Sequence, residues 1–254
     1  MKYKFTGDTK QLECGTILQR IVCVTAFASV EVGELGGWIE KESCLSQTGD
    51  AWVYHEAQVY NNACVTDDAH VSNDARVYNN ARICNRSSVS GNAHVYEGAH
   101  LFERSRVRDN ARVFGKAHLF DDARICDDAQ VFGEANIEHS AYICNNAIVC
   151  HYARVSGSAQ IAGNAEVILD SHILLGLHRT KKVCTLQIRG SKHAVNSPDF
   201  NLIRIDDIEH TPQAWLANID MFGRKKGYSK EQIAEYKKYI DLFAQVISEH
   251  HTTN

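Results

Sequence analysis

The sequence predicts a mainly β chain whose middle winds into a single-stranded parallel β-helix, and three observations predict it. An aliphatic residue recurs at every sixth position without interruption, from Val53, Val59, Val65 and Val71 through to Val155, Ile161, Val167 and Ile173. Two residues before each stands a small one, alanine nearly everywhere and serine at Ser87, Ser105 and Ser171. A turn former usually comes directly before the small residue, as at Asn62, Asp68, Asp74, Asn80, Asn92, Asn110 and Asn146. A helix repeats at about 3.6 residues, a coiled coil at about 3.5 and a lone strand at about 2, so none of them generates this period.

Each hexapeptide therefore reads as a short strand and a corner. The aliphatic residue, most often β-branched, points inward from the strand. Alanine fits the corner, where a larger side chain would collide with the coil above. Asn, Asp and Gly tolerate the left-handed backbone that a sharp bend needs. The resulting pattern resembles the hexapeptide repeat of left-handed parallel β-helices, in which three hexapeptides form one triangular coil. That resemblance covers about half the chain and implies about seven coils, a prism roughly 32 Å long at the ~4.8 Å spacing of strands.

A narrower resemblance lies just ahead of the repeat. The stretch Gly36-Gly37-Trp38-Ile39-Glu40, then Leu45-Ser46, then Gly49-Asp50-Ala51-Trp52-Val53 is similar to the lead-in of a group of bacterial and prophage-encoded β-helix proteins. It implies a phage or prophage origin, a host protein as a possible partner, and inhibition of a host defence system as a role.

A stack of coils leaves an open edge and an apolar core at each end, so caps are expected. Residues 1–45 read as a β-rich N-terminal cap, 46–176 as the β-helix, and 177–254 as a small α/β module with two helices. In that module Val183 to Ile188 and Asn201 to Ile205 read as strands. Thr211-Pro212 opens the first helix and Gly223 is expected to stop it. Ser229 to Gln232 is a capping box opening the second helix, with Ile233, Tyr236, Ile240, Phe243 and Ile247 on one stripe.

Composition limits the function. The chain has 254 residues and a net charge of −4, and residues 50–176 carry 16 acidic and 10 basic groups. That acidic balance argues against nucleic acid as a partner. No apolar run approaches the ~20 residues that span a bilayer, and the polar N-terminus has no signal-peptide core, so no membrane partner is expected. The nine cysteines are odd in number and lack zinc-type spacing, which fits the cytoplasm, or the host cytoplasm for a phage-encoded chain. No metal site, phosphate loop or other cofactor motif stands out, so no cofactor is expected.

A coil of about 18 residues lets each outward column be read. One face carries Tyr60, Tyr78, Tyr96, Phe114 and Phe132, flanked by Arg76, His94 and Arg112. Such an aromatic ladder has three readings: rings that stack on one another, rings covered by the C-terminal helices, or an interface with a partner or a second copy. A homo-oligomer, dimer or trimer, is the expectation drawn from it. A second face places His100 and His118 one coil apart, with Phe102 and Phe120 beside them. In acyltransferases of the resembled class a histidine acts as general base at a cleft between subunits, so this pair is the candidate site of an acyl-coenzyme A-dependent enzyme. The uninterrupted repeat leaves no loop to build that site, which argues for a non-catalytic scaffold or binding protein instead. A small-molecule or nucleotide sponge is a further alternative. Cys126 and Cys144 stack on the remaining face, where free thiols are expected. The carboxylates at the corners, such as Asp67, Asp121 and Asp127, read as turn formers on a solvated edge.

Overall fold

The computed structural model describes residues 1–163, 166–167, 172–175, 187–199 and 202–251. The period of six becomes three sheets of short parallel strands. Each strand pairs in register with those one coil away, as in Val95 with Val113, Leu101 with Leu119 and Val107 with Ile125. Aliphatic residue therefore sits on aliphatic residue along the axis. Val53 through Ile161 and the alanines from Ala51 to Ala159 are shut from solvent, as are Ser87 and Ser105. The chain is a parallel β-helix of about seven turns, as the repeat predicts. Ser171 and the side chain of Ile173 lie outside the described residues.

The structure decides which corner residue takes the bend. The left-handed residue stands two before the small residue, not directly before it: Asn61, Asp67, Asn73, Asn79 and Asn85 have φ of 56, 58, 62, 58 and 55°. The residue directly before the small one is held by the ladder, since the Asn80 N–H donates to Glu97 O and the Asn92 N–H to Asp109 O, both at 2.7 Å. The bend is taken one residue earlier, inside a turn closed by the Ala63 N–H on Tyr60 O. The N–H of the left-handed residue finds its acceptor on a side chain one coil back. Asn85 N donates to Asp67 Oδ2 at 2.9 Å, His139 N to Asp121 Oδ2 at 2.9 Å, and Asn145 N to Asp127 Oδ2 at 2.9 Å. The corner carboxylates are thus backbone acceptors, which explains why Asp and Asn concentrate there.

The N-terminal cap is a meander of β1 (Tyr3–Gln11), β2 (Ile17–Cys23) and β3 (Leu35–Ile39), with β3 joining Gln58–Val59 in parallel. It covers the first coil. Trp52 points outward from its strand yet is fully buried, with Tyr3 and Phe27 edge-on to it at 6.1 and 5.5 Å. Lys2 lies over Phe27 and donates to Ala51 O at 2.7 Å, and burial lowers its pKa to about 8. The Gly36-Gly37-Trp38 lead-in has a steric basis: a Cβ on Gly36 would meet Ile21 Cγ1 at 2.5 Å. Trp38 donates from Nε1 to Glu56 at 2.9 Å, and Arg20 and Lys10 lie over its ring.

At the other end the chain continues one sheet of the prism. Gln187–Arg189, Ala194–Asp199, Leu202–Ile205 and Ile208–His210 add antiparallel to His172–Leu175 in sequence order. Ala194–Asp199 and Ile208–His210 were not legible as strands, and residues 183–186 and 201 lie outside the described ones. Helix α1 (Pro212–Lys225) starts where expected, with Ala214 N donating to Thr211 Oγ1 at 3.2 Å. It runs past Gly223, because that glycine serves packing: a Cβ there would lie 2.5 Å from Ile233 Cγ1 of α2 (Lys230–His251). The left-handed stop is Gly227, at φ 68°. The capping box forms, with Ser229 N on Gln232 Oε1 at 2.9 Å and Gln232 N on Ser229 Oγ at 3.2 Å. Ile233, Tyr236, Ile240 and Phe243 are buried; the side chain of Ile247 is outside those described.

Candidate functional site: the aromatic ladder and the histidine face

The ladder forms as the register requires. Tyr60, Tyr78, Tyr96, Phe114 and Phe132 follow the inward residues of one sheet, whose strands pair without slip. Their ring centroids are 5.1, 4.9, 4.9 and 4.7 Å apart, and successive planes lie within 9° of parallel. Two consequences follow. The face hardly twists from coil to coil, unlike an ordinary sheet. The rings turn their faces to one another and their edges outward, and the spacing leaves no room for a base or a sugar to enter between them.

The five rings remain half-exposed. The expectation that the C-terminal helices cover them is not met. The C-terminal strands extend the histidine face instead, because the chain leaves the prism from a strand of that sheet. Beside the ladder run Arg76, His94 and Arg112, with His94 edge-on to Tyr78 at 6.1 Å. Burial and the two flanking guanidiniums hold the His94 imidazole below its ordinary pKa. Burial raises the Tyr78 phenol to about 12. A groove of about 420 Å³ lies along this side, lined by Asn92, His94, Asn110, Arg112, Asp128 and Gln130. Its floor is an amide ladder in which Asn92 donates to Asn110 at 3.2 Å and Asn110 to Asp128 at 3.0 Å.

The charges divide into two groups. Corner cations pair with carboxylates, as in Arg104 with Asp122 at 2.7 Å and Lys116 with Glu134 at 3.2 Å, and so does Arg154 of the histidine face, with Glu138 at 3.1 Å. Among the described residues no carboxylate pairs with the sheet-face arginines Arg76, Arg82, Arg106, Arg112 or Arg124.

On the histidine face, His100 and His118 stack at 5.0 Å and Phe102 and Phe120 at 5.3 Å. Burial first, then His118 and Arg82, keep the His100 pKa low. That favours the neutral form a general base needs. Among the described residues no carboxylate orients either ring, and the pair sits on an open face rather than in a cleft.

The remaining face holds what the sequence reading passed over. Arg106, Arg124 and Tyr142 share the column before the inward residues, and Arg108 and Cys126 the column after. Reading the first of these columns at the coil period would have exposed the arginine pair. Cys126 and Cys144 are buried, and Cys126 Sγ lies 3.0 Å from the Tyr142 hydroxyl. Asp109, Cys126 and Asp127 bring three ligand atoms together. Asp109 and Asp127 already accept backbone N–H groups, and the Arg108 guanidinium lies 3.6 Å from Asp109, which opposes a cation.

Fold and repeat together define the class: the chain is a hexapeptide-repeat parallel β-helix protein. The model of the YdcK beta solenoid repeat matches residues 57–73. The chain is also similar to the uncharacterized acetyltransferase YdcK of Escherichia coli (strain K12), at 33% identity over 54 residues. The similarity covers 21% of this chain and 15% of that relative's length. Among the described residues no helix is long and apolar enough to cross a membrane.

Proposed function

We propose that the protein is a non-catalytic scaffold that pairs with a second copy of itself through the ladder face. The observation carrying this reading is the row of five half-exposed, parallel rings on a face that scarcely twists. Such a surface suits close packing against an identical one, about 10 Å away between sheets. Charge selects the arrangement. A two-fold axis parallel to the prism sets Arg76 and Arg112 of one copy over the opposite edge of the other, where Glu97 and Glu134 stand. A two-fold axis across the prism would set arginine over arginine, which is repulsive.

Light scattering on the wild type is expected to give twice the 28.4 kDa chain mass. Phe114→Glu, a change at an outward position, is expected to give the single-chain mass with an unchanged circular dichroism spectrum. A wild-type mass of one chain would sink the proposal. A phage-encoded role against a host defence system would use the same face, with a host protein in place of the second copy. Co-purification of one such protein at one-to-one stoichiometry would displace the self-association reading.

A second reading, an acyl-coenzyme A-dependent acyltransferase, is favoured by the printed name of the Escherichia coli relative and by the stacked His100–His118 pair. It predicts heat on titration with acetyl-coenzyme A that His118→Ala abolishes. Absence of heat with the wild type would remove it.

A further inference from the structure

We propose that the face opposite both of these sites carries an oxyanion site, formed by Arg106, Arg124, Arg108 and Tyr142, for a ligand bearing a phosphate or sulfate group. Arg106 and Arg124 are direct partners on neighbouring parallel strands, as are Arg124 and Tyr142. Like charges placed opposite one another across strands are destabilising, and among the described residues no carboxylate pairs with either arginine. Elsewhere the same columns avoid such a contact. On the ladder face His94 separates Arg76 from Arg112, and on the histidine face Arg82 is followed by His100.

The surroundings supply the rest of an anion receptor. Arg108 stands two residues along the chain from Arg106, 3.6 Å from Asp109, and the neighbouring Tyr142 first, then Cys126, raise its pKa. Arg106, Arg108 and Arg124 are exposed, so a ligand can reach them without rearrangement. Among the described residues no carboxylate pairs with Arg106 or Arg124, whereas Asp109 lies 3.6 Å from Arg108. Asp127 is committed to the Asn145 N–H at 2.9 Å and Asp109 to the Asp127 N–H and to Arg108. Guanidiniums about one strand spacing apart, ~4.8 Å, can be bridged by one tetrahedral oxyanion, which accepts forked hydrogen bonds from both. A carboxylate, with two oxygens in one plane, matches this triangle of donors less well.

The site lies apart from the ladder and from the histidine pair, so its test stands independently of the proposed function. Calorimetry on the full chain would use inorganic pyrophosphate and inorganic sulfate as probes, with acetate as a control. The expected result is saturable binding of pyrophosphate or sulfate and none of acetate. Arg124→Gln is expected to weaken it at least about tenfold, the loss of one charge-assisted hydrogen bond. Arg82→Gln, which removes an equally exposed charge from another face, leaves it unchanged. Pyrophosphate binding well ahead of sulfate assigns a phosphorylated ligand, and comparable binding of the two a tetrahedral dianion in general, sulfate esters included; both support the site. No saturable binding of either probe, or equal weakening by Arg124→Gln and Arg82→Gln, overturns it. All these side chains point outward, so circular dichroism separates a lost site from a lost fold.

Discussion

Leu119→Asp is expected to leave the middle of the prism unfolded at neutral pH. Leu119 is fully buried and stacks in register on Leu101 and Ile137. The substitution removes about 1.5–3 kcal/mol of apolar burial. It also asks a carboxylate to sit unpaired on the prism axis, a penalty of several kcal/mol. Together these approach the 5–15 kcal/mol that typically holds a domain together. Because each coil touches only its neighbours, the damage should be centred on this coil. Hydrogen exchange would show it as loss of protection around residues 101–137, with the first coils under the N-terminal cap protected longest. Uniform wild-type protection in the variant would refute this account of the core. Phe120→Asp, one residue on but outward, is the matching control and should leave exchange in the core near wild type.

Gly37→Ala is expected to loosen the N-terminal cap at a cost of about 1–3 kcal/mol. A Cβ on Gly37 would lie 2.6 Å from Ala57 O and 2.6 Å from Val53 Cγ1. Neither neighbour can yield cheaply. Ala57 O already accepts from the Trp38 N–H at 2.9 Å, and Val53 is a core residue. Relief must come from β3 moving off the first coil, which would expose Trp52. A urea titration followed by tryptophan emission should show an earlier transition and a red-shifted baseline. Gly98→Ala, whose added Cβ would meet Gly115 O at 3.2 Å and Lys116 Cγ at 3.8 Å, should shift the midpoint far less. Equal midpoints for Gly37→Ala and the wild type would mean that the lead-in glycines serve something other than packing.

The prism was legible because its constraint is local and repeated. Each aliphatic residue faces the axis whichever coil it belongs to, so one rule read from Val53 and Val59 holds through Ile161. The ladder was legible for the same reason, since its members share the coil period with the core. Which of two adjacent corner residues is left-handed was not legible in the sequence. Asn and Asp occur at both candidate positions, and only the ladder hydrogen bonds decide which of the two N–H groups is engaged. Gly223 was misread because a glycine that ends a helix and one that lets two helices touch look alike until the second helix is in place.

The face outside the two expected sites illustrates the same boundary. Arg106, Arg108 and Arg124 are unremarkable as a sequence of arginines in an acidic segment. What sets Arg106 and Arg124 apart is that corner cations such as Arg104 and Lys116 find carboxylates one coil away while, among the described residues, these two pair with none, a property of pairing that no single repeat contains.

By itself, then, the sequence determined the period, the buried column, the aromatic ladder and the helix caps, because each depends on residues within one coil or one turn of helix. Only the tertiary structure decided that the C-terminal module extends the histidine face and leaves the ladder half-exposed, that Trp52 is covered by Tyr3 and Phe27, and that one arginine pair has no carboxylate partner among the described residues. Those outcomes depend on which sheet the chain leaves from and on how neighbouring coils share charges, which are contacts between segments that the repeat pattern does not encode.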